Sequence, residues 1–202
     1  MAQYLKTEKR IEYKSLCTSR ELNEIFKFFG NDLKQIFSRR LIESLYFDTL
    51  DFSLYKEKEL YDVDTKTVRF RKYNNEDILY KEIKFNSFDG KYKKRHKTNF
   101  KSLKDVTPFA YSGKVLYPSL FTKYKRDYFE SKTFRMTIDS EIIFSSHSFR
   151  DLNNKRIPFK LKIVEFKFLD DYRVDDFIDK VPVPLSGFSK FKEANKSLYF
   201  KT

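Results

Sequence analysis

The stretch from Thr67 to Phe85, TVRFRKY–NNED–ILYKEIKF, limits most what this chain can become. Two runs rich in β-branched and aromatic residues flank polar turn residues, the pattern of a β-hairpin. Side chains alternate faces along a strand. Arg69, Arg71 and Tyr73 therefore share one face of the first run, and Val68 and Phe70 the other. On the second run Tyr80, Glu82 and Lys84 share a face, and Leu79, Ile83 and Phe85 take the opposite one. One side of the hairpin is apolar; the other sets guanidinium, ammonium and carboxylate groups side by side. Taken alone, this is an ordinary sheet with one wet face.

The same alternation returns along the chain. Lys9–Leu16 puts Arg10, Glu12 and Lys14 opposite Ile11 and Tyr13. Ile42–Asp48 puts Ser44, Tyr46 and Asp48 opposite Leu45 and Phe47. Phe121–Phe129 aligns Tyr124, Arg126 and Tyr128, and Thr133–Ile143 aligns Arg135, Thr137 and Asp139. Phe159–Leu169 aligns Ile163, Glu165 and Lys167, with Val164, Phe166 and Phe168 behind. After a turn at Gly90, Lys91–Lys97 reads either as a solvated basic loop or as a strand aiming Lys91, Lys93 and Arg95 one way. Helices are fewer. Thr18 with Glu21 forms a capping box ahead of Leu22, Ile25, Phe26 and Phe29 at helical spacing. Gly30-Asn31 breaks or kinks that helix, and Leu33, Ile36 and Phe37 resume its stripe. Asp51–Leu60 leads into the hairpin, Phe100–Tyr117 is irregular with a short helix near Ser102–Val106, and Tyr172–Val181 is helical. The C-terminal segment brings a loop with Ser189 and Lys190 and then a short helix.

Strands joined mostly by short turns predict an antiparallel sheet that curls or closes. The fold class is α+β, mainly β: a closed barrel of roughly eight strands with flanking helices, one domain over residues 1–202. If the apolar faces pack outward under helices, the charged faces point into the lumen. The net charge of +13, from 42 basic and 29 acidic residues, calls for a polyanionic partner. Carboxylates interleaved among the bases suit a hard divalent cation that also touches phosphate. His96 and His147 are too isolated for a zinc site, and no GxxxxGK[ST] or GxGxxG cradle is present. Cys17 stands alone, which fits a reducing cytoplasm, and no run approaches the ~18–20 apolar residues of a membrane span.

RIEYK, SLYFDT, VRFRKY, KEIKF, YKRDYF, RMTID, VEFKF and FSKF occur in an order that resembles the VTC (vacuolar transporter chaperone) domains of the triphosphate tunnel metalloenzyme (CYTH-like) superfamily, over about residues 8–200. The resemblance implies a basic lumen that holds triphosphate or polyphosphate. It implies transfer of the γ-phosphate of ATP to a polyphosphate chain with Mn²⁺ or Mg²⁺. Carried over by position, the phosphate-handling residues are Arg69, Arg71, Lys84, Arg126 and Arg135, with Arg10, Lys14, Lys93 and Lys190 and the hydroxyls of Tyr124 and Ser189. Glu165 resembles the metal-binding glutamate, with Glu82 and Glu12 as helpers. Larger eukaryotic members carry an N-terminal phosphate-sensing domain and a membrane segment; neither is expected here, and a separate membrane protein partner would take their place. RIEYK is closer to the ExExK-like opening of hydrolytic relatives, so synthesis and triphosphate hydrolysis both stand as activities. A non-catalytic polyphosphate or RNA-binding module is the reading from a different class. The carboxylates favour an enzyme over such a module, since a pure anion binder gains nothing from acids in its groove. An RNA binder sets aromatics beside bases on an exposed face, which Tyr73, Tyr80, Tyr124 and Tyr128 leave open, though nucleic acid is the disfavoured partner.

Overall fold

The computed structural model describes residues 11–61, 63–74, 76–88, 90–168 and 174–200. Its strands are β1 (Ile11–Cys17), β2 (Lys34–Asp48), β3 (Thr65–Tyr73), β4 (Leu79–Ser87), β5 (Gly90–Thr98), β6 (Phe109–Tyr111), β7 (Lys114–Glu130), β8 (Phe134–Ser146), β9 (Arg156–Phe159) and β10 (Lys162–Phe168). They form one antiparallel sheet in the order β1-β10-β8-β7-β2-β3-β4-β5, with β6 beside β7 and β9 beside β8. The opening hairpin is β3–β4, and Arg69 lies directly opposite Glu82.

The expectation of a closed barrel is corrected. Among the described residues β1 and β5 are the two ends of the ladder and do not pair with each other. Both ends have a physical reason. The backbone of β1 is already engaged: Ser186 N–H donates to Lys14 O at 2.6 Å, and Ser15 Oγ donates to Pro184 O at 2.7 Å. At the other end, β5 sets Lys91, Lys93, Arg95 and Lys97 on one face and Tyr92, Lys94 and His96 on the other, a basic composition that suits a solvated edge. The sheet still curls until its ends face each other, since Lys84 on β4 senses the charges of Glu165 on β10 and Glu12 and Lys14 on β1.

The apolar faces point outward, as the alternation predicts. Helix α1 (Ser19–Phe29) starts at the Thr18–Glu21 capping box. Its Ile25 is buried in a cluster with Phe134, Met136, Val164 and Phe166, which Phe177 of α3 (Val174–Lys180) joins. Phe177 stacks on Phe29 at 5.9 Å and meets Phe166 edge-on at 4.9 Å. Behind β2 and β3, Phe47 packs on Phe70 at 5.3 Å and on Phe109 at 5.1 Å. Each such ring contributes about 1.5–3 kcal/mol by leaving water. Helices α2 (Ser53–Leu60) and α4 (Lys190–Asn195) close one end, where Phe191 stacks on Tyr46 at 5.4 Å.

Several sequence expectations change. The α1 stripe does not resume at Leu33: Gly30 takes φ 50, a 3₁₀ turn follows, and β2 starts at Lys34. The spacing of Leu33, Ile36 and Phe37 fits a bulged strand as well as a helix, and register shifts fall at Gln35/Phe37 and Phe37/Arg40. Lys91–Lys97 is a strand. The span 100–117 holds the 3₁₀ turn Leu103–Asp105 capped by Ser102, but also β6 and the start of β7. The expected strand Phe159–Leu169 splits into β9 and β10. Among the described residues no helix is long and apolar enough to cross a membrane.

Candidate functional site

The concave face of the sheet carries three linked charge clusters. In the first, Arg69 Nε and Nη2 donate to Glu82 Oε2 at 2.9 and 2.6 Å, and its Nη1 donates to Tyr46 Oη at 3.0 Å. Glu82 is fully buried and also faces Arg71 Nη1 at 3.7 Å, Lys93 Nζ at 3.3 Å and Arg95 Nε at 3.7 Å. Burial works against its charge, but Arg69, Arg71 and Lys93 hold its carboxyl well below the usual range. Arg71 is placed differently. Its Nε donates to Ser44 Oγ at 2.9 Å and its Nη2 to Tyr124 Oη at 3.0 Å, both neutral partners.

In the second cluster Arg126 grips Asp139 with two parallel bonds of 2.5 and 2.7 Å, the bidentate fork that suits a carboxylate or a phosphate. Lys190 Nζ donates to the same Asp139 carboxylate. Despite burial, those two cations lower the Asp139 carboxyl to about 2. Tyr124 joins the clusters: Arg126 and Lys190 sit over its ring at 5.5 and 4.7 Å. Burial raises its phenol to about 12, so it stays a neutral hydroxyl.

The third cluster centres on Lys167, whose Nζ lies 3.5 Å from Glu165 Oε1 and 3.9 Å from Glu12 Oε1. Arg126 reaches within 3.9 Å of Glu165. Burial opposes the Glu165 charge, yet Lys167, Lys14, Arg126 and Lys84 hold its carboxyl well below the usual range. Lys84 carries the reverse burden. Burial and then Arg69 push its ammonium well below the usual lysine range, and Glu165 and Glu12 offset this only in part. Cations outnumber carboxylates on this face, so an added polyanion gains from them.

Among the described residues no three His, Cys, Asp or Glu side chains cluster as a metal cage. Glu165 and Glu12 do converge on one ammonium, and two carboxylates completed by phosphate oxygens and water form a normal Mg²⁺ or Mn²⁺ donor set. Those two residues fit the ion. Glu82 does not fit the helper role expected of it: its oxygens face four cations, which makes it their counter-ion.

Of the residues singled out in the sequence, Arg69, Arg71, Lys84, Lys93, Arg126, Tyr124, Lys190, Lys14, Glu12, Glu82 and Glu165 share this face. Lys14 Nζ donates to Phe188 O at 2.9 Å. Arg135 departs from expectation. Its side chain is half exposed at the start of β8 and pairs with Glu130 at 2.8 Å. The alternation gave its face correctly but not its depth, because the strand begins at Phe134. Ser189 is the N-cap of α4 and accepts from Lys192 N–H at 3.5 Å. Arg10 lies outside the described residues. Asp139, Tyr46, Ser44, Arg95 and Lys167 belong to the site and were absent from the expected set. The same alternation carries their signal, since each stands two residues from a chosen position or on a face already marked as polar.

No curated protein matches the sequence. Solved structures share its fold. A protein from Pyrococcus horikoshii OT3 superposes with a TM-score of 0.58 at 12% identity, covering 93% of this chain and 99% of its own. An adenylate-cyclase-like protein from Bacillus halodurans gives 0.59 at 13% identity, covering 95% and 98%. An adenylyl-cyclase-like protein from Hippeastrum gives 0.51 at 12% identity, covering 93% and 95%. The likeness shows a shared fold, which in this chain is a curled antiparallel sheet around a cationic lumen with embedded acids. The VTC domain model matches residues 9–115 and 110–199, and the chain belongs to that family.

Proposed function

We propose that this protein is a metal-dependent phosphotransferase that moves the γ-phosphate of ATP onto a polyphosphate chain. The observation that carries the proposal is the gathering of more cations than carboxylates on one concave face, around the buried Glu82, Asp139 and Glu165, within a VTC domain. Arg69, Arg71 and Arg126 hold phosphate oxygens in a fixed line, and Lys84 and Lys190 neutralise the charge that spreads over the transferring group. Lys14 and Lys93 extend the cationic track along the flanking strands. Glu165 and Glu12 would hold the divalent ion, which when bound supplies further positive charge to the phosphate oxygens. No protein nucleophile is needed, since the acceptor phosphate attacks in line.

Triphosphate hydrolysis is the second reading, in which water replaces the acceptor. It is supported by the Hippeastrum neighbour, which is described as revealing a dominant triphosphatase activity, and by the RIEYK sequence. The deciding experiment incubates the protein with ATP and Mn²⁺ or Mg²⁺ and resolves polyphosphate from free phosphate. Long chains establish the transferase, free phosphate alone the hydrolase. Absence of both products leaves only a binding module and overturns the proposal.

A further inference from the structure

Thr137 Oγ1 is buried and has no hydrogen-bond partner among the described residues. Thr137 as a whole is only 7% exposed. On β8 it stands directly between Glu165 of β10 and Tyr128 of β7, and directly paired residues share a face. Two positions further along the same face, Asp139 holds Arg126 and Lys190. Thr137 therefore lies on the concave face, between the carboxylate of Glu165 and the Arg126–Asp139 pair, with its hydroxyl buried there. An unpaired hydroxyl in such a place is costly, and valine would fill the same volume without that cost. The hydroxyl has a use only when something enters the lumen. A neutral donor also adds reach toward an anion where another ammonium would meet repulsion from Lys84, Lys167 and Arg126.

We infer that Thr137 is a substrate-binding residue whose hydroxyl donates to a phosphoryl oxygen of triphosphate seated between Glu165 and Arg126. The inference rests on the reading of the lumen as a triphosphate site. The test compares the wild type, Thr137→Val and Thr137→Ser in the full chain. Calorimetry with inorganic tripolyphosphate in chelator gives affinity, and thermal unfolding without ligand gives stability. Valine should weaken tripolyphosphate binding about tenfold, serine should restore most of it, and the ligand-free valine variant should unfold at the wild-type temperature or above. If the wild type binds and the valine variant binds equally well, Thr137 holds no phosphate and this inference alone fails. If valine lowers ligand-free stability along with affinity, the hydroxyl is structural and the inference fails likewise. If serine binds as poorly as valine, the loss does not come from the hydroxyl. A wild type that does not bind tripolyphosphate overturns the site reading and this inference with it.

Discussion

At the scale of single residues, what a charge is already paired with decides what it can do for a ligand. Arg126 is committed to Asp139, so removing it would strand a buried carboxylate and report folding as much as binding. Arg71 is the cleaner probe, because its hydrogen bonds go to the hydroxyls of Ser44 and Tyr124, and Glu82, 3.7 Å away, keeps Arg69 and Lys93 as closer partners when Arg71 is removed. Arg71→Ala should weaken tripolyphosphate binding by about 1.5–3 kcal/mol, the scale of a lost charge-assisted bond. Calorimetry checks this, and an equal loss on changing the exposed Lys125 would mean diffuse attraction with no site. Glu165 invites the complementary experiment. If it serves only as a counter-ion for Lys167 and Arg126, Glu165→Gln tightens phosphate binding and leaves any metal dependence intact. If it holds the divalent ion, metal-free affinity is kept or raised while turnover falls by ~10²-fold or more. Titrating metal into both proteins under assay separates the two, and normal metal-dependent turnover in the glutamine variant removes Glu165 from the metal site.

At the scale of elements, α2 shows how a segment can be fixed by a residue outside it. Its N-cap, Phe52, has φ 62 and no side-chain cap bond. Asp48, at the end of β2, does the capping: its Oδ1 accepts from Leu54 N–H at 2.8 Å and its Oδ2 from Tyr55 N–H at 3.0 Å. Burial nevertheless raises its carboxyl from 3.8 to about 6, against those bonds. A folded-state value above the unfolded one means the folded protein takes the proton more readily. The contribution of Asp48 to stability is therefore fullest below pH 3.8 and declines as pH rises through about 6, by a total on the order of 3 kcal/mol. Asparagine imitates the protonated form, so Asp48→Asn should gain stability relative to the wild type between pH 4 and pH 7 in urea titrations. A difference that stays constant over that range contradicts the assignment. The same helix shows where sequence reading stops. The hairpin β3–β4 and the capping box of α1 were legible because local pattern and tertiary burial agree there. Helix α2 was not, because SLYKEKEL has little amphipathic period and its cap lies beyond its own first turn. Strand β5 stayed ambiguous because Lys94 and His96 interrupt the face that Tyr92 begins, which leaves no apolar face to mark a half-buried strand. The site followed the same rule: inward-facing bases were found wherever alternation was clean, and alternation put Asp139 and Tyr46 on those same faces but not their pairing with Arg126 and Arg69, which only the tertiary fold brings about.

At the scale of the whole molecule, the charges are held apart by the sheet and brought together by its curl. The hydrogen-bonded ladder ends at β1 and β5, so the curl is maintained by outer apolar layers and by attraction across the lumen. Lys84 is the test of that balance. It belongs to β4, yet it senses Glu165, Glu12 and Lys14 on the far strands as well as Arg69 beside it. Burial and Arg69 dominate, so its ammonium resists charging in the folded protein. A positive charge on Lys84 is therefore a cost to the empty fold that a bound polyanion relieves. Replacing it with methionine keeps the apolar stem and removes the charge, while Glu165 retains Lys167, Lys14 and Arg126 as partners. Ligand-free Lys84→Met should unfold at a higher temperature than the wild type, by about 2–4 °C for each kcal/mol regained in a chain of this size. Tripolyphosphate at a hundredfold excess over its dissociation constant should stabilise the wild type by about 2.7 kcal/mol, and the same ligand concentration should stabilise the methionine variant less. Thermal unfolding with and without tripolyphosphate reads both quantities. A variant that is less stable when empty and gains as much from ligand as the wild type would show that Lys84 holds the curl together, and that phosphate binds without it.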